Sequence, residues 1–134
     1  MVKENAVCGY SKSKDGNKKL STNFKVKEFA STDGADTLFV SDELVRILQC
    51  IRNHFGRAVT INSGYRTEAR NKAVGGAKYS QHMYGLAADI KVFGVKPEKV
   101  AEFAETLMPN SGGIGIYATF THIDVRAKKS RWRG

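Results

Sequence analysis

Three residues in this chain have the types and the spacing to hold one cation: His82, Asp89 and His122. His82 and Asp89 stand seven positions apart in Tyr79-Ser80-Gln81-His82-Met83-Tyr84-Gly85-Leu86-Ala87-Ala88-Asp89-Ile90. Asp89 interrupts the apolar run Leu86 to Ile90, where a strand ordinarily carries no charge. A carboxylate buried there is costly unless it is paired or bound to a metal. Gly85 gives a turn, and the two alanines leave room that larger side chains would fill. Two readings stand at this point. Either His82 and Asp89 face one cation, or Asp89 accepts hydrogen bonds from a nearby turn and His82 is a satisfied loop histidine.

The stretch Phe120-Thr121-His122-Ile123-Asp124-Val125-Arg126 favours the cation. Period-two alternation sends Ile123 and Val125 into a core and His122, Asp124 and Arg126 to the opposite face. If this strand pairs beside the Asp89 strand, His122 completes a His82, Asp89, His122 set. Two imidazoles and a carboxylate suit Zn2+, with the fourth tetrahedral position left for water. Zinc lowers the pKa of such a water towards about 7, which makes a nucleophile at neutral pH. That chemistry needs a general base and an electrophilic group. Asp124 is the catalytic base candidate; the alternative is that it orients a ligand histidine or pairs with an arginine. Arg66 is the catalytic anion binder, since a guanidinium can clamp a carboxylate with two parallel hydrogen bonds. Its alternative is a structural salt bridge.

Elements to position these residues are legible along the chain. Residues 1–20 are polar and read as a loose arm or an edge hairpin, ahead of a domain spanning 21–134. Ser41 is an N-cap, with Asp42 and Glu43 in the first turn of a helix whose apolar stripe is Leu44, Ile47, Leu48, Ile51 and Phe55. Gly56 ends it. His54, in its last turn, is expected to cap carbonyls or face solvent. Ala58 to Asn62 alternates as a strand and runs into Ser63-Gly64-Tyr65-Arg66. A short helix from Glu68 to Ala73 precedes the histidine turn and the Asp89 strand. Pro97 opens another helix, with Val100, Ala101, Phe103, Ala104, Leu107 and Met108 on its apolar side. Strands Ile114 to Tyr117 and Phe120 to Arg126 close the domain.

With 134 residues there is room for one domain with a real core. The two cysteines, Cys8 and Cys50, lack the spacing of a zinc finger and are expected as free thiols. The net charge of +9 points to an anionic partner, with basic clusters at Lys12 to Lys19 and Arg126 to Arg133. Solvated basic termini are the plainer reading of those clusters. No apolar run approaches the roughly 20 residues that cross a bilayer. The first eight residues are too polar for a secretory leader, so synthesis as a cytoplasmic chain is expected.

Ser80-x-His82-x-x-Gly85-x-Ala87-x-Asp89 resembles the signature of the M15 zinc peptidases, the D-Ala-D-Ala carboxypeptidases and phage endolysins that cut peptidoglycan peptides. Ser63-Gly64-Tyr65-Arg66 upstream and Phe120-Thr121-His122-Ile123-Asp124 downstream fit it in the same order, over roughly Phe24 to Trp132. The resemblance implies a single α+β domain with an antiparallel sheet flanked by helices, similar to the Hedgehog signalling domain. It also implies zinc on His82, Asp89 and His122, and a substrate site that includes Arg66, Ser80 and Tyr65. The expected partner is a peptidoglycan peptide, met by a monomer at the cell wall after release from phage or prophage. One departure stands out: many members place a catalytic glutamate three residues before the last histidine, where this chain has Thr119. A catalytically silent zinc domain that binds wall peptide or a protein is therefore the rival. A nucleic-acid-binding role for the lysine and arginine clusters would leave the His/Asp set unexplained.

Overall fold

Period-two stretches of this chain become strands and period-3.6 stretches become helices. In a computed structural model that describes residues 6–134, the order begins β1 (Val7–Ser11), α1 (Lys12–Asp15), β2 (Lys19–Ser21), β3 (Phe24–Lys25), β4 (Thr37–Ser41) and α2 (Asp42–Phe55). It continues with β5 (Val59–Ser63), α3 (Glu68–Ala73), β6 (Ala87–Val92), α4 (Pro97–Leu107), β7 (Gly113–Ile116), β8 (Thr121–Asp124) and β9 (Ser130–Arg133). Short 3-10 turns cover Val26–Phe29 and Gln81–Tyr84.

The α+β expectation holds. A five-stranded sheet, ordered β5-β6-β8-β7-β9, is antiparallel except for the parallel β7–β9 pair at its edge. Helices α2 and α4 cover one face, packing on β6, β7 and β8 and on each other. Ala88, Ile90, Ile114 and Ile123 point into that layer and meet Leu44, Ile47, Leu48, Ile51, Val100 and Ala104, all buried. Complete burial of each large apolar side chain stabilises the fold by about 1.5–3 kcal/mol. The ends of α2 follow its sequence. The Ser41 Oγ accepts the Leu44 N–H at 3.2 Å, and Gly56, with φ of 61°, returns its N–H to the Arg52 carbonyl.

Other expectations fare differently. The first five residues of the expected arm 1–20 lie outside the described residues. Beyond them, β1 pairs antiparallel with β4 from Val7↔Ser41 to Ser11↔Thr37, so that part is not loose. His54 is exposed, as one of its two readings expected, and its ring stacks on Phe103, with centroids 3.8 Å apart and planes 8° from parallel. The basic run Arg126 to Arg133 is solvated only in part: Lys128, Lys129 and Arg133 are exposed, whereas Arg126 and Arg131 are engaged. Arg126 binds Asp124, and Arg131 donates to Glu105 and to the carbonyls of Met108, Ser111 and Gly112. These anchors hold β9 against β7. Cys8 and Cys50 are free thiols.

One consequence of the register matters for chemistry. On the face away from the helices, Ser63, Asp89, His122, Gly115 and Trp132 are successive cross-strand partners and make a single row over all five strands. Ala87, Asp124, Gly113 and Ser130 make the next row.

Candidate metal centre

Asp89 and His122 arrive side by side because their strands pair directly, and the 3-10 turn at Gln81–Tyr84 brings His82 over them. Two residues shape that turn. Ser80 caps it, its Oγ accepting the His82 N–H at 3.3 Å. Gly85 ends it at φ of 74°, and a Cβ there would stand 2.6 Å from the Phe39 carbonyl oxygen, so only glycine fits. Ser80 was expected to touch substrate; it is buried and its hydroxyl holds the histidine turn.

Each histidine has one ring nitrogen engaged behind it and the other aimed at Asp89. His82 Nδ1 is 2.8 Å from the Gly64 carbonyl, which can only accept, so this nitrogen carries a proton, and Nε2 faces Asp89 Oδ2 at 3.3 Å. His122 Nε2 is 2.7 Å from Asp124 Oδ2, and Nδ1 is 2.9 Å from Asp89 Oδ1. A carbonyl or carboxylate behind each imidazole is the arrangement that fixes tautomer and ring orientation in metal sites. The three donor groups lie within 4.8 Å of one another, all buried. Donors about 2.0–2.1 Å from a tetrahedral zinc stand about 3.3 Å apart, so this set fits that ion.

Electrostatics agree. Burial raises the Asp89 carboxyl, but hydrogen bonds from His122 and His82 outweigh it and hold the group far below the usual carboxylate range. Burial alone would lower His122, yet its bonds to Asp124 and Asp89 raise it above its ordinary value.

Asp124 does not have the surroundings of a base. It is 0% exposed, and its oxygens accept from His122 Nε2, the Gly113 N–H, and the Arg126 N–H, Nε and Nη2 at 2.6–3.1 Å. Burial raises its pKa, but the bonds from His122 and Arg126 drive it far below the ordinary range. A carboxylate committed to so many donors cannot take a proton from water. Of the two readings of Asp124, the one that orients a ligand histidine matches this geometry.

Arg66 sits between the triad and an open groove. Its Nη2 is 3.4 Å from Asp89 Oδ2, Nε bonds Ser63 Oγ at 3.1 Å, and Nη1 reaches Asn71 Oδ1 at 3.4 Å. The guanidinium has five N–H donors, so one remains on each terminal nitrogen. The groove, about 560 Å³, runs from Tyr65 and Arg66 past Asn71 and Lys72 to Tyr79 and Tyr84. Glu68 is the carboxylate in its lining. Thr119 is exposed in the β7–β8 turn and borders a different cavity, with Phe93 and Pro97.

Sequence reasoning missed Asn71, Trp132 and the Gly64 carbonyl as parts of this centre. A carbonyl partner leaves no trace in side-chain type. For Trp132 there was a signal: Gly113 and Gly115 alternate on a strand, which marks close approach by something large.

The family model for Peptidase M15 matches residues 18–124. The chain belongs to the Peptidase M15 family. Among curated M15-type relatives, the zinc D-Ala-D-Ala carboxypeptidase of Streptomyces albus G is 48% identical over 44 residues, 32% of this chain and 17% of that protein. The probable peptidoglycan L,D-endopeptidase MepK of Haemophilus influenzae is 35% identical over 83 residues, 57% of this chain and 43% of that protein. This M15 chain thus spans less than half the length of either relative. Among its described residues no helix is long and apolar enough to cross a membrane.

Proposed function

We propose that this chain is a zinc-dependent peptidase that hydrolyses peptide bonds of bacterial peptidoglycan, with His82, Asp89 and His122 as the metal ligands. The observation that carries the reading is the pair of imidazoles fixed in orientation around Asp89. His82 Nε2 and His122 Nδ1 both face Asp89, while their other nitrogens are held by Gly64 and Asp124, so a metal that displaces the proton from the facing nitrogens would meet one ring nitrogen from each histidine. Zinc held there would supply a Lewis acid for the scissile carbonyl and would acidify a water at neutral pH.

The chain's own residues do the rest. Asp124 orients His122. Arg66 keeps a donor on each terminal nitrogen for a substrate carboxylate or carbonyl oxygen, next to Asp89. Tyr65, packed edge-on against Phe39 with centroids 5.7 Å apart, forms the groove wall beside Arg66. The names of the relatives support peptidoglycan as substrate, since one is a D-Ala-D-Ala carboxypeptidase and the other a peptidoglycan endopeptidase. The excess of lysine and arginine favours collection on anionic wall polymers. Delivery to the wall by phage or prophage lysis belongs to the same proposal.

A silent zinc domain is the second reading, favoured by the burial of Asp124 and by Thr119 at the position of the expected glutamate. Metal content of wild type and His82→Ala, followed by mass analysis of digested muropeptides with and without chelator, separates the two. One zinc per chain, lost in the variant, with chelator-sensitive cleavage is expected. Zinc without cleavage would establish the binding domain, and no metal would end both readings.

A further inference from the structure

The residues that match the family model end at Asp124, yet the contacts around His122 continue beyond it. Arg126 Nε and Nη2 grip Asp124 at 2.8 and 2.6 Å. The Arg126 guanidinium lies over the Trp132 ring, 5.4 Å from its centroid. The Trp132 ring then lies against the His122 imidazole, with centroids 5.0 Å apart and planes tilted by 49°. His122, Asp124, Arg126 and Trp132 therefore form a closed circuit of four side chains. The indole is itself pinned: Nε1–H donates to the Tyr117 hydroxyl at 2.9 Å, and Tyr117 stacks on Phe120 with centroids 4.4 Å apart.

The sequence makes room for this. Gly115 is the register partner of both His122 and Trp132, and a Cβ there would lie 2.5 Å from the indole. Glycine at that point lets β9 lay its aromatic ring over the sheet row that carries the ligands. Asp124 and Asp89 hold the two ring nitrogens but leave the tilt of the imidazole about the line joining them, and a flat apolar wall beside it removes that freedom.

We propose that Trp132 is a positioning residue of the metal centre: it fixes the plane of the His122 ring, so that the edge strand β9 is a working part of the site. The inference rests on the reading of His82, Asp89 and His122 as metal ligands. Loss of groups that orient a ligand typically costs about 10- to 100-fold in metal affinity.

Cobalt(II) is the probe, because its visible absorption reports coordination geometry without any turnover. Wild type should bind one Co2+ per chain, and no binding at all would overturn the ligand assignment and this inference with it. Trp132→Phe keeps a flat ring and should stay within about threefold of wild type with the same spectrum. Trp132→Leu keeps apolar bulk without the ring and should lose about tenfold in affinity, with a shifted spectrum. Equal affinities and spectra for the two variants would overturn the proposal, whether both resemble wild type or both are weakened. Thermal melting of the metal-free variants shows whether β9 stays docked, and an affinity loss in Trp132→Leu that merely follows a loss of folded protein also overturns it. Trp132 is the single tryptophan of the chain. Quenching of wild-type emission by Co2+, absent in His82→Ala, is therefore a second expected readout, and emission that ignores the metal would count against the contact.

Discussion

Gly113→Ala adds one methyl group and tests how much of the site depends on Asp124. Gly113 pairs with Asp124 in the sheet and donates its N–H to Oδ1 at 2.9 Å. A Cβ built there would lie 2.2 Å from Asp124 Oδ2 and 2.7 Å from Cγ and Oδ1. Such contacts do not occur in folded proteins, so the carboxylate must retreat by about 1 Å to reach ordinary contact distance. Its bond to His122 Nε2 is only 2.7 Å and would stretch beyond hydrogen-bond range. His122 would then lose the acceptor that keeps its proton on Nε2 and its lone pair on Nδ1. Zinc affinity should fall about 10- to 100-fold, equivalent to about 1.4–2.8 kcal/mol. Weakened bonds to charged partners should lower the stability of the metal-free protein by a further few kcal/mol, about 1.5–3 for each bond lost. Competition with a chromophoric chelator measures the first quantity and denaturant melts the second. In the double variant Gly113→Ala/Asp124→Ala the clash is gone, so the two single effects should not add. A Gly113→Ala protein with zinc affinity within twofold of wild type would refute the view that Asp124 is locked against this strand.

Further expectations follow from the same geometry. Arg66→Lys keeps a charge but cannot bridge Ser63, Asn71 and Asp89 together, so kcat/KM on muropeptides should fall about 10- to 100-fold with zinc retained; unchanged kinetics would remove Arg66 from the site. Glu68→Gln should lower kcat with unchanged zinc content if Glu68 takes the proton that buried Asp124 cannot, and an unaltered pH–rate profile would exclude that role. The raised His122 pKa gives opposite signs to the two forms of the protein. In the metal-free protein its stabilising charge is fully present below the ordinary value of 6.5 and lost as pH rises through the raised value. Zinc needs the unprotonated ring, so the loaded protein gains with pH instead. Melting temperatures of the two forms should diverge as pH rises from 6 towards 8; parallel curves would contradict the link between His122 and both carboxylates. Ile123→Ala, in the wholly buried face of β8, should cost about 2–5 kcal/mol in denaturant melts, and a loss under 1 kcal/mol would place the core elsewhere.

How far the sequence could be read depended on whether the signal was local. His122 and Asp124 separate cleanly from Ile123 because strand alternation is a local rule. The cap at Ser41 and the stripe of α2 are local too, and both stand as expected. Asp124 was ambiguous because residue type does not tell whether a carboxylate faces water or four neighbouring groups. Strands β4 and β9 went unread for a different reason. Ser130-Arg131-Trp132-Arg133 has too much charge to resemble a strand, and only pairing with β7 and the bonds from Arg131 to α4 make it one. The separate two-stranded sheet of β1 with β4 is likewise made by a partner about thirty residues away in the chain.

The central position of β8 bears on how long the folded protein lasts. β7 and β8 are adjacent in sequence and form a local hairpin, but β6 pairs with β8 across α4 and β7. His82, Asp89 and His122 therefore meet only once that hairpin has docked on β6. A ligand that requires the finished arrangement stabilises the native state but not the preceding barrier, so it slows unfolding and leaves the rate of folding alone. On the reading proposed above, the metal would set the protein's lifetime as well as its chemistry, and a chelator would shorten the one while abolishing the other.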